Sequence, residues 1–205
     1  MTGKPWSEAC ERNREPIFEV LREVFADVAH VLEIGSGTGQ HAAFFAAVLP
    51  QLVWQASDRA EHLPGIAAWR DAAGLPNLRP PLALDVDVED WPVTAVDGVF
   101  SANTLHIMSW SSVQNFFRGA ERVLMPGGVL AVYGPFHYGG QPTADSNASF
   151  DAFLRARDPL SGIRDAEAVH ELAARHGFAV SADHAMPANN RTLVWRRSRA
   201  GGGCQ

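Results

Sequence analysis

Val31-Leu32-Glu33-Ile34-Gly35-Ser36-Gly37-Thr38-Gly39 is an apolar run that stops at three glycines spaced two apart, with a helical pattern from Gln40 to Leu49 directly behind it. The stretch predicts a strand, a tight turn and the start of a helix. Glycine reaches positive φ at no steric cost and lets a ligand lie against the main chain. The first turn of the following helix presents unpaired N–H groups. A nucleotide-like ligand therefore has a seat at this turn.

Which nucleotide turns on a single position. The dinucleotide fingerprint asks for glycines at the first, third and sixth places of the turn. Counted from Gly35, the sixth place is Gln40; the third glycine is Gly39, and Glu33 stands two before Gly35. This Glu-x-Gly-x-Gly-x-Gly arrangement resembles motif I of class I S-adenosylmethionine-dependent methyltransferases. A carboxylate near the turn suits an ammonium, directly or through water, and repels a pyrophosphate. Leu52 to Ser57 then reads as a second strand ending at Asp58, about 20 residues further on, where such folds hold ribose hydroxyls. Pro81 to Leu84 reads as a third strand ending at Asp85-Val86. The resemblance implies that Asp85 faces the adenine amino group and that Val86 packs on the ring. Glu33, Asp58 and Asp85 thus end three successive strands, which one turn or cap residue alone would not explain.

The 205 residues suffice for one α/β domain with a real core, and 46% hydrophobic content is ordinary for a globular chain. No apolar run reaches spanning length, and Met1 to Arg14 is too polar for a secretory signal. Cys10 and Cys204 stand near opposite ends and suggest neither a disulfide framework nor a metal site, which fits a reducing cytoplasm. A net charge of −6 without a basic block disfavours nucleic acid as a partner. Oligomeric state is not legible.

An N-terminal arm, 1–15, precedes a helix in which Pro16 suits the first turn and Ile17, Val20, Leu21, Val24 and Phe25 form one buried stripe. Beyond the glycine turn the pattern predicts helix 39–49, strand 52–57, helix 60–73, strand 81–86, strand 96–101, helix 110–124 and strand 128–134, with a sharp turn at Pro126-Gly127-Gly128. Alternation of this kind implies a doubly wound, mostly parallel, seven-stranded Rossmann-like sheet covered on both faces. Asp165 caps a helix closed by Gly177, and strands 178–184 and 192–197 form a terminal antiparallel hairpin around Asn189-Asn190. The segment 135–164 is long for a loop and reads as a lid-like insertion with a helical turn near Phe150, Phe153 and Leu154. Residues 1–200 form a single unit, and 201–205 are expected to be a disordered tail.

Four further segments, Ser7-Glu8-Ala9-Cys10-Glu11-Arg12-Asn13-Arg14-Glu15-Pro16, Ser101-Ala102-Asn103-Thr104-Leu105-His106-Ile107-Met108-Ser109-Trp110, Tyr133-Gly134-Pro135-Phe136 and Met186-Pro187-Ala188-Asn189-Asn190, are similar to a small, mostly uncharacterised methyltransferase-like family of bacteria and animals. That likeness implies the fold and the cofactor but no substrate. Gly35, Ser36, Gly37, Gly39, Asp58, Arg59 and Ser101 are expected around the cofactor, and Asn103 to orient cofactor or substrate. Arg12 and Asn13 are expected as cofactor or lid contacts.

Methyl transfer is an in-line displacement that mainly needs alignment and exclusion of water, with a general base only where the nucleophile must lose a proton. His106, after the fourth strand, is the candidate base. Tyr133 and His137 join it as candidate catalytic groups. Phe136 and Tyr138 are expected to line the acceptor, and Arg155 and Arg164 to meet an anionic one, against a competing reading as a salt-bridged surface. No Asn/Asp-Pro-Pro-aromatic tetrad follows strand four, no carboxylate neighbours Asn103 in sequence, and the histidines lack metal-ligand spacing. The expected function is methyl transfer from S-adenosylmethionine to a small-molecule O, N or S nucleophile, with S-adenosylhomocysteine as product. The alternatives are a protein methyltransferase, a cofactor-binding interaction protein without turnover, and a nicotinamide-dependent oxidoreductase. Gln40 and the terminal hairpin speak against the last.

Overall fold

In the computed structural model, which describes residues 3–199, the glycine turn joins β1 (His30–Ile34) to α2 (Gln40–Val48). The tail expected over 201–205 lies outside the described residues. A helix α1 (Glu8–Val24) precedes β1, and the chain continues through β2 (Val53–Asp58), α3 (Leu63–Ala73), β3 (Leu82–Ala83), β4 (Val96–Ala102), α4 (Trp110–Val123) and β5 (Leu124–His137). It ends with α5 (Asp145–Arg157), β6 (Arg164–Asp165), α6 (Ala166–Arg175), β7 (Phe178–Met186) and β8 (Asn190–Arg197). The sheet runs β3-β2-β1-β4-β5-β8-β7, with β6 paired to the end of β5. Strands β1 to β5 pair in parallel, and β8 pairs antiparallel with both β5 and β7. This is the doubly wound sheet with a terminal hairpin. Its strand order reverses between β1 and β4, so a crevice opens at their carboxyl ends.

Alternation along the strands divides the core between two faces. Leu130 and Val132 of β5 and Trp195 of β8 pack with Phe116 and Phe117 of α4 and Val169 of α6. Ala131, Tyr133 and Val194 face the other way, with Ile17 and Leu21 of α1, Phe45 of α2 and Trp54 and Phe100 of the sheet.

Four boundaries differ from the sequence reading. The arm is largely helical: α1 begins at Glu8 and carries Pro16 in its interior. The buried stripe on its sheet-facing side outweighs the one backbone bond the ring removes. The third strand shrinks from 81–86 to two residues at the sheet edge. Pro126 to Gly128 do not end a helix but form a bulge inside β5, where the register jumps from Val96↔Leu124 to Gly98↔Val129. The 135–164 insertion is ordered by α5 and β6.

A Cβ at Gly39, where φ is +90°, would stand 2.7 Å from the Ile66 Cα of α3. Gly39→Ala is therefore expected to lower stability by roughly 2–4 kcal/mol in urea denaturation. Gly74→Ala, also at positive φ but in open space, should cost only about 1 kcal/mol.

Candidate active site

The three glycines divide their work. All have positive φ, but a Cβ at Gly35 would meet the Thr104 side chain at 2.7 Å, one at Gly39 would meet Ile66, and one at Gly37 would meet nothing within 4 Å. Gly35 and Gly39 are bare because protein presses on them; Gly37 faces open space. The turn is stitched to β2: the N–H groups of Gly35 and Ser36 both donate to the Ser57 carbonyl at 3.0 Å. Gly37 N–H donates to Asp58 Oδ2 and Arg59 N–H to Asp58 Oδ1, each at 2.7 Å. The half-buried Asp58 carboxylate thus stands beside the open face of Gly37, with lone pairs left for hydroxyl donors. A ligand with a diol at Asp58 and a main chain–hugging tail at Gly37 fits this cradle. On the far side of β2, Arg59, Leu84, Asp85 and Trp91 help line a cleft of about 380 Å³. Val86 is buried beside it.

Glu33 does not project onto the turn but lies beneath it, 1% exposed, with Trp54 Nε1–H donating to its Oε2 at 2.9 Å. Burial, aided by the Asp58 charge, pushes its pKa up to about 7 against the opposing bonds from Trp54 and Ser36. At that exposure a direct contact with a ligand ammonium is closed to it.

The N-terminal helix also departs from expectation. Arg12 pairs with Glu8 at 2.7 Å on the exposed side of α1 and does not turn to the crevice. Asn13 is buried, its Oδ1 2.7 Å from His41 Nε2. Tyr133 is buried on the face of the sheet that packs against α1, not a free catalytic group, and burial raises its pKa. Gln40 clamps the same helix: it accepts from Ser7 N–H and donates to Glu11 Oε1 at 2.9 Å. Ser101 is likewise structural, donating to the Ile34 carbonyl at 2.8 Å, which ties β4 to β1, with its Oγ also 2.8 Å from Thr104 Oγ1.

Across the crevice, Asn103 sits in the left-handed region at φ 56°, its N–H donating to the Tyr133 carbonyl at 2.8 Å. A non-glycine residue held there is strained backbone, which concentrates at functional sites. His106 is 6% exposed, with the ring of Phe150 edge-on at 5.4 Å. A side chain at Gly134 would begin 3.6 Å from His106 Nδ1 and 3.9 Å from Asn103 Oδ1. Burial, then the Arg164 charge, lowers the His106 pKa to about 4, so the imidazole is neutral in any ordinary buffer. His137 lies beside Asp151 with its Nε2 buried and unpartnered among the described residues.

Three expected substrate contacts are spent elsewhere. Arg164 donates to the carbonyls of Leu105 (3.1 Å), Leu160 (2.9 Å) and Met108, clamping the turn that carries His106. Arg155 pairs with Asp151 at 2.8 Å on an exposed face. Phe136 points into the core with 1% exposure. Tyr138 does reach the rim, where its hydroxyl donates to Asp183 Oδ2 at 2.7 Å. Residues to which the sequence reading gave no site role are His41, Gln40 as a clamp, and Phe150 and Asp151 of α5. Histidine directly after the glycine turn was the available signal for the first.

Among the described residues no three His, Cys, Asp or Glu side chains gather as a metal-binding group, and no helix is long and apolar enough to cross a membrane.

The fold matches solved methyltransferase structures. An O-methyltransferase family protein from Burkholderia thailandensis superposes with a TM-score of 0.82 at 20% identity, over 95% of this chain and 59% of that one. The mitomycin 7-O-methyltransferase MmcR gives 0.77 at 19% identity, over 91% and 54%. Human N-acetylserotonin methyltransferase, solved with SAM, gives 0.77 at 14% identity, over 93% and 53%. The chain thus spans somewhat over half the length of the solved structures it matches, and shares with them the class I methyltransferase fold. It belongs to the family described as "Protein of unknown function (DUF938)", whose model matches residues 4–197.

The buried Glu33 carboxyl gives a pH test. Its folded pKa of about 7 lies above the ordinary 4.5, so its stabilising effect is full below pH 4.5 and is lost as pH rises through 7. Glu33→Gln keeps an acceptor for Trp54 without titrating. The variant should gain on wild type by roughly 3 kcal/mol between about pH 4.5 and pH 8 in paired urea melts of the free protein.

Proposed function

We propose that this protein transfers a methyl group from S-adenosylmethionine to a small-molecule nucleophile. The observation that carries the reading is the open face of Gly37 beside the Asp58 carboxylate, at the point where the strand order reverses. Bound S-adenosylmethionine supplies an electrophilic methyl group and takes on sulfur the electron pair of the bond that breaks. Asp58 accepts the ribose hydroxyls, Gly37 leaves room for the tail, and Asp85 and Val86 border the base. The folds of the methyltransferases named above support the reading. A nicotinamide cofactor suits the site less well, because Gln40 fills the third-glycine place of the dinucleotide motif and is bonded to α1.

On the acceptor side, His106 orients the nucleophile by accepting its hydrogen bond through an unprotonated ring nitrogen. It takes the proton only as the new bond to carbon forms, when the nucleophile's acidity rises steeply. Asn103 flanks the same position, and Phe150 and the clamped 105–108 turn keep water away.

S-adenosylhomocysteine should raise the melting temperature, by about 2.7 kcal/mol of stabilisation at 100 times its Kd, while NAD leaves it unchanged. Gly37→Val should abolish that shift, and Asp58→Ala should weaken binding by about 1–3 kcal/mol. The reading fails if NAD, and not the methyltransferase product, stabilises the protein.

With an acceptor found by labelled-methyl transfer to metabolite extracts, His106→Ala should lower kcat on the order of 10²-fold without changing S-adenosylhomocysteine affinity. The pKa of about 4 has a further consequence: kcat should be level through 6.5, the ordinary histidine value, and fall only near 4. An inflection at 6.5 that vanishes in His106→Ala would contradict the burial argument.

A further inference from the structure

We propose that the groove between the N-terminal arm and helices α1, α2 and α3 binds a small apolar compound carrying one carboxylate. The site is separate from the crevice at Gly37 and Asp58, and the proposal stands whether or not the methyltransferase reading of that crevice holds. The groove has a volume of about 220 Å³, and its lining includes no residue of the 35–39 turn, nor Asp58 or His106. A space of that size suits a guest of one ring.

Three helices supply the walls from matched faces. Glu11 and Arg14 of α1 stand three residues apart. Gln40, Ala43 and Phe44 of α2 fall at i, i+3 and i+4, and Trp69, Ala72 and Ala73 of α3 repeat that spacing. Alanine at three of these places leaves the space that longer side chains would fill. The arm borders the same groove. Pro5 packs on Gly65, where a Cβ would come 2.6 Å from the Pro5 Cγ, and Trp69 Nε1 donates to the Pro5 carbonyl at 2.6 Å. Ser7 N–H donates to Gln40 Oε1. The walls are therefore tied together before a guest arrives, which leaves little ordering for it to impose.

The charges of the lining do not balance. Lys4, Glu11 and Arg14 are its ionisable groups, so two cations meet one carboxylate in a chain whose net charge is −6. That carboxylate is occupied: Glu11 Oε1 accepts from Gln40 Nε2 at 2.9 Å, and Oε2 pairs with Arg14 Nη1 at 2.7 Å. Lys4 has no carboxylate partner among the described residues, and its Nζ lies 4.0 Å from the centre of the Trp69 ring. The Arg14 guanidinium lies 4.9 Å from the centre of the Phe44 ring, and its Nε is buried without an acceptor among the described residues. Contact with a ring face holds a cation in place without neutralising it. One positive charge is left over, which a single carboxylate matches. Arg14 Nη2 is the guanidinium nitrogen left to donate to it, since Nη1 holds Glu11.

The apolar part of the guest follows from the rest of the lining, which is the Phe44 and Trp69 rings and the alanine methyls. A carboxylate without an apolar body gains the charge alone. An apolar body without a carboxylate leaves the spare positive charge unmatched.

The test uses protein with 5-fluorotryptophan in place of tryptophan, followed by ¹⁹F NMR as benzoate is added. Single Trp→Phe variants assign the signals of Trp69 and of Trp195, which is fully buried in the core of the other sheet face and serves as the control. Benzoate should shift the Trp69 signal saturably and leave Trp195 in place. Benzyl alcohol, the uncharged counterpart, and acetate, which lacks the ring, should each bind at least about 10-fold more weakly. Arg14→Gln should weaken benzoate binding by at least about 10-fold. Ala72→Phe, which fills the groove from an exposed position, should abolish binding and leave the melting temperature unchanged. A Trp69 signal that ignores benzoate, or benzyl alcohol bound as tightly as benzoate, overturns the proposal. So does benzoate binding of wild-type strength in either variant. Should Arg14→Gln displace the Trp195 signal and so report an altered fold, Ala72→Phe alone decides.

Discussion

Three N–H groups of the turn after β1, those of Gly35, Ser36 and Gly37, end on the last two residues of β2. That convergence sets the geometry on which the site depends. It needs positive φ at Gly35 and Gly37, so the glycines follow from the bonds. It also aims Asp58 at the crevice, because both its oxygens accept backbone N–H groups and the side chain has no rotamer freedom left. One carboxylate is thus part of the scaffold and the nearest acceptor to any ligand in the turn. Ser101 extends the tie to β4 by donating to the Ile34 carbonyl, and the two halves of the crevice become one rigid rim.

The turn and the fold were legible in the sequence because their determinants are local. Glycine spacing, apolar runs of strand length and acidic residues at strand ends each report backbone geometry within a few residues. Side-chain direction was less legible. Glu33, Tyr133 and Phe136 sit at strand ends in sequence, yet each points into one of the two core faces, and strand parity depends on a register set by distant partners. The bulge at 125–128 shows the difficulty: Pro-Gly-Gly read as a turn, but the chain continues as strand after a local kink. Arg12 and Arg164 failed for a different reason. Arginine serves equally as ligand clamp, surface ion pair or carbonyl clamp, and only the partners distinguish them.

The ionisable groups around the crevice share one property. Glu33, His41 and His106 are each nearly excluded from water, and burial drives all three toward their neutral forms. The low-dielectric wall strengthens any interaction made with the charge a ligand brings. It also separates the roles of the two sides. The glycine side offers fixed main-chain dipoles and the Asp58 charge, whereas the His106 side offers an uncharged acceptor. Under the proposed methyl transfer, a cationic donor on the first side and a neutral nucleophile on the second leave no buried charge unmatched.

Helix α5 ties the 187–190 turn to the turn that carries His106. From one face, Asn147 bonds the 187–190 turn, Phe150 meets His106, and Asp151 accepts from the Ile163 N–H and pairs with Arg155. The helix is anchored at both ends of the acceptor side and cannot pivot about one of them without breaking contacts at the other. Backbone-to-backbone and backbone-to-carboxylate ties hold the glycine turn, whereas a few side-chain contacts hold α5 against the 187–190 turn and His106.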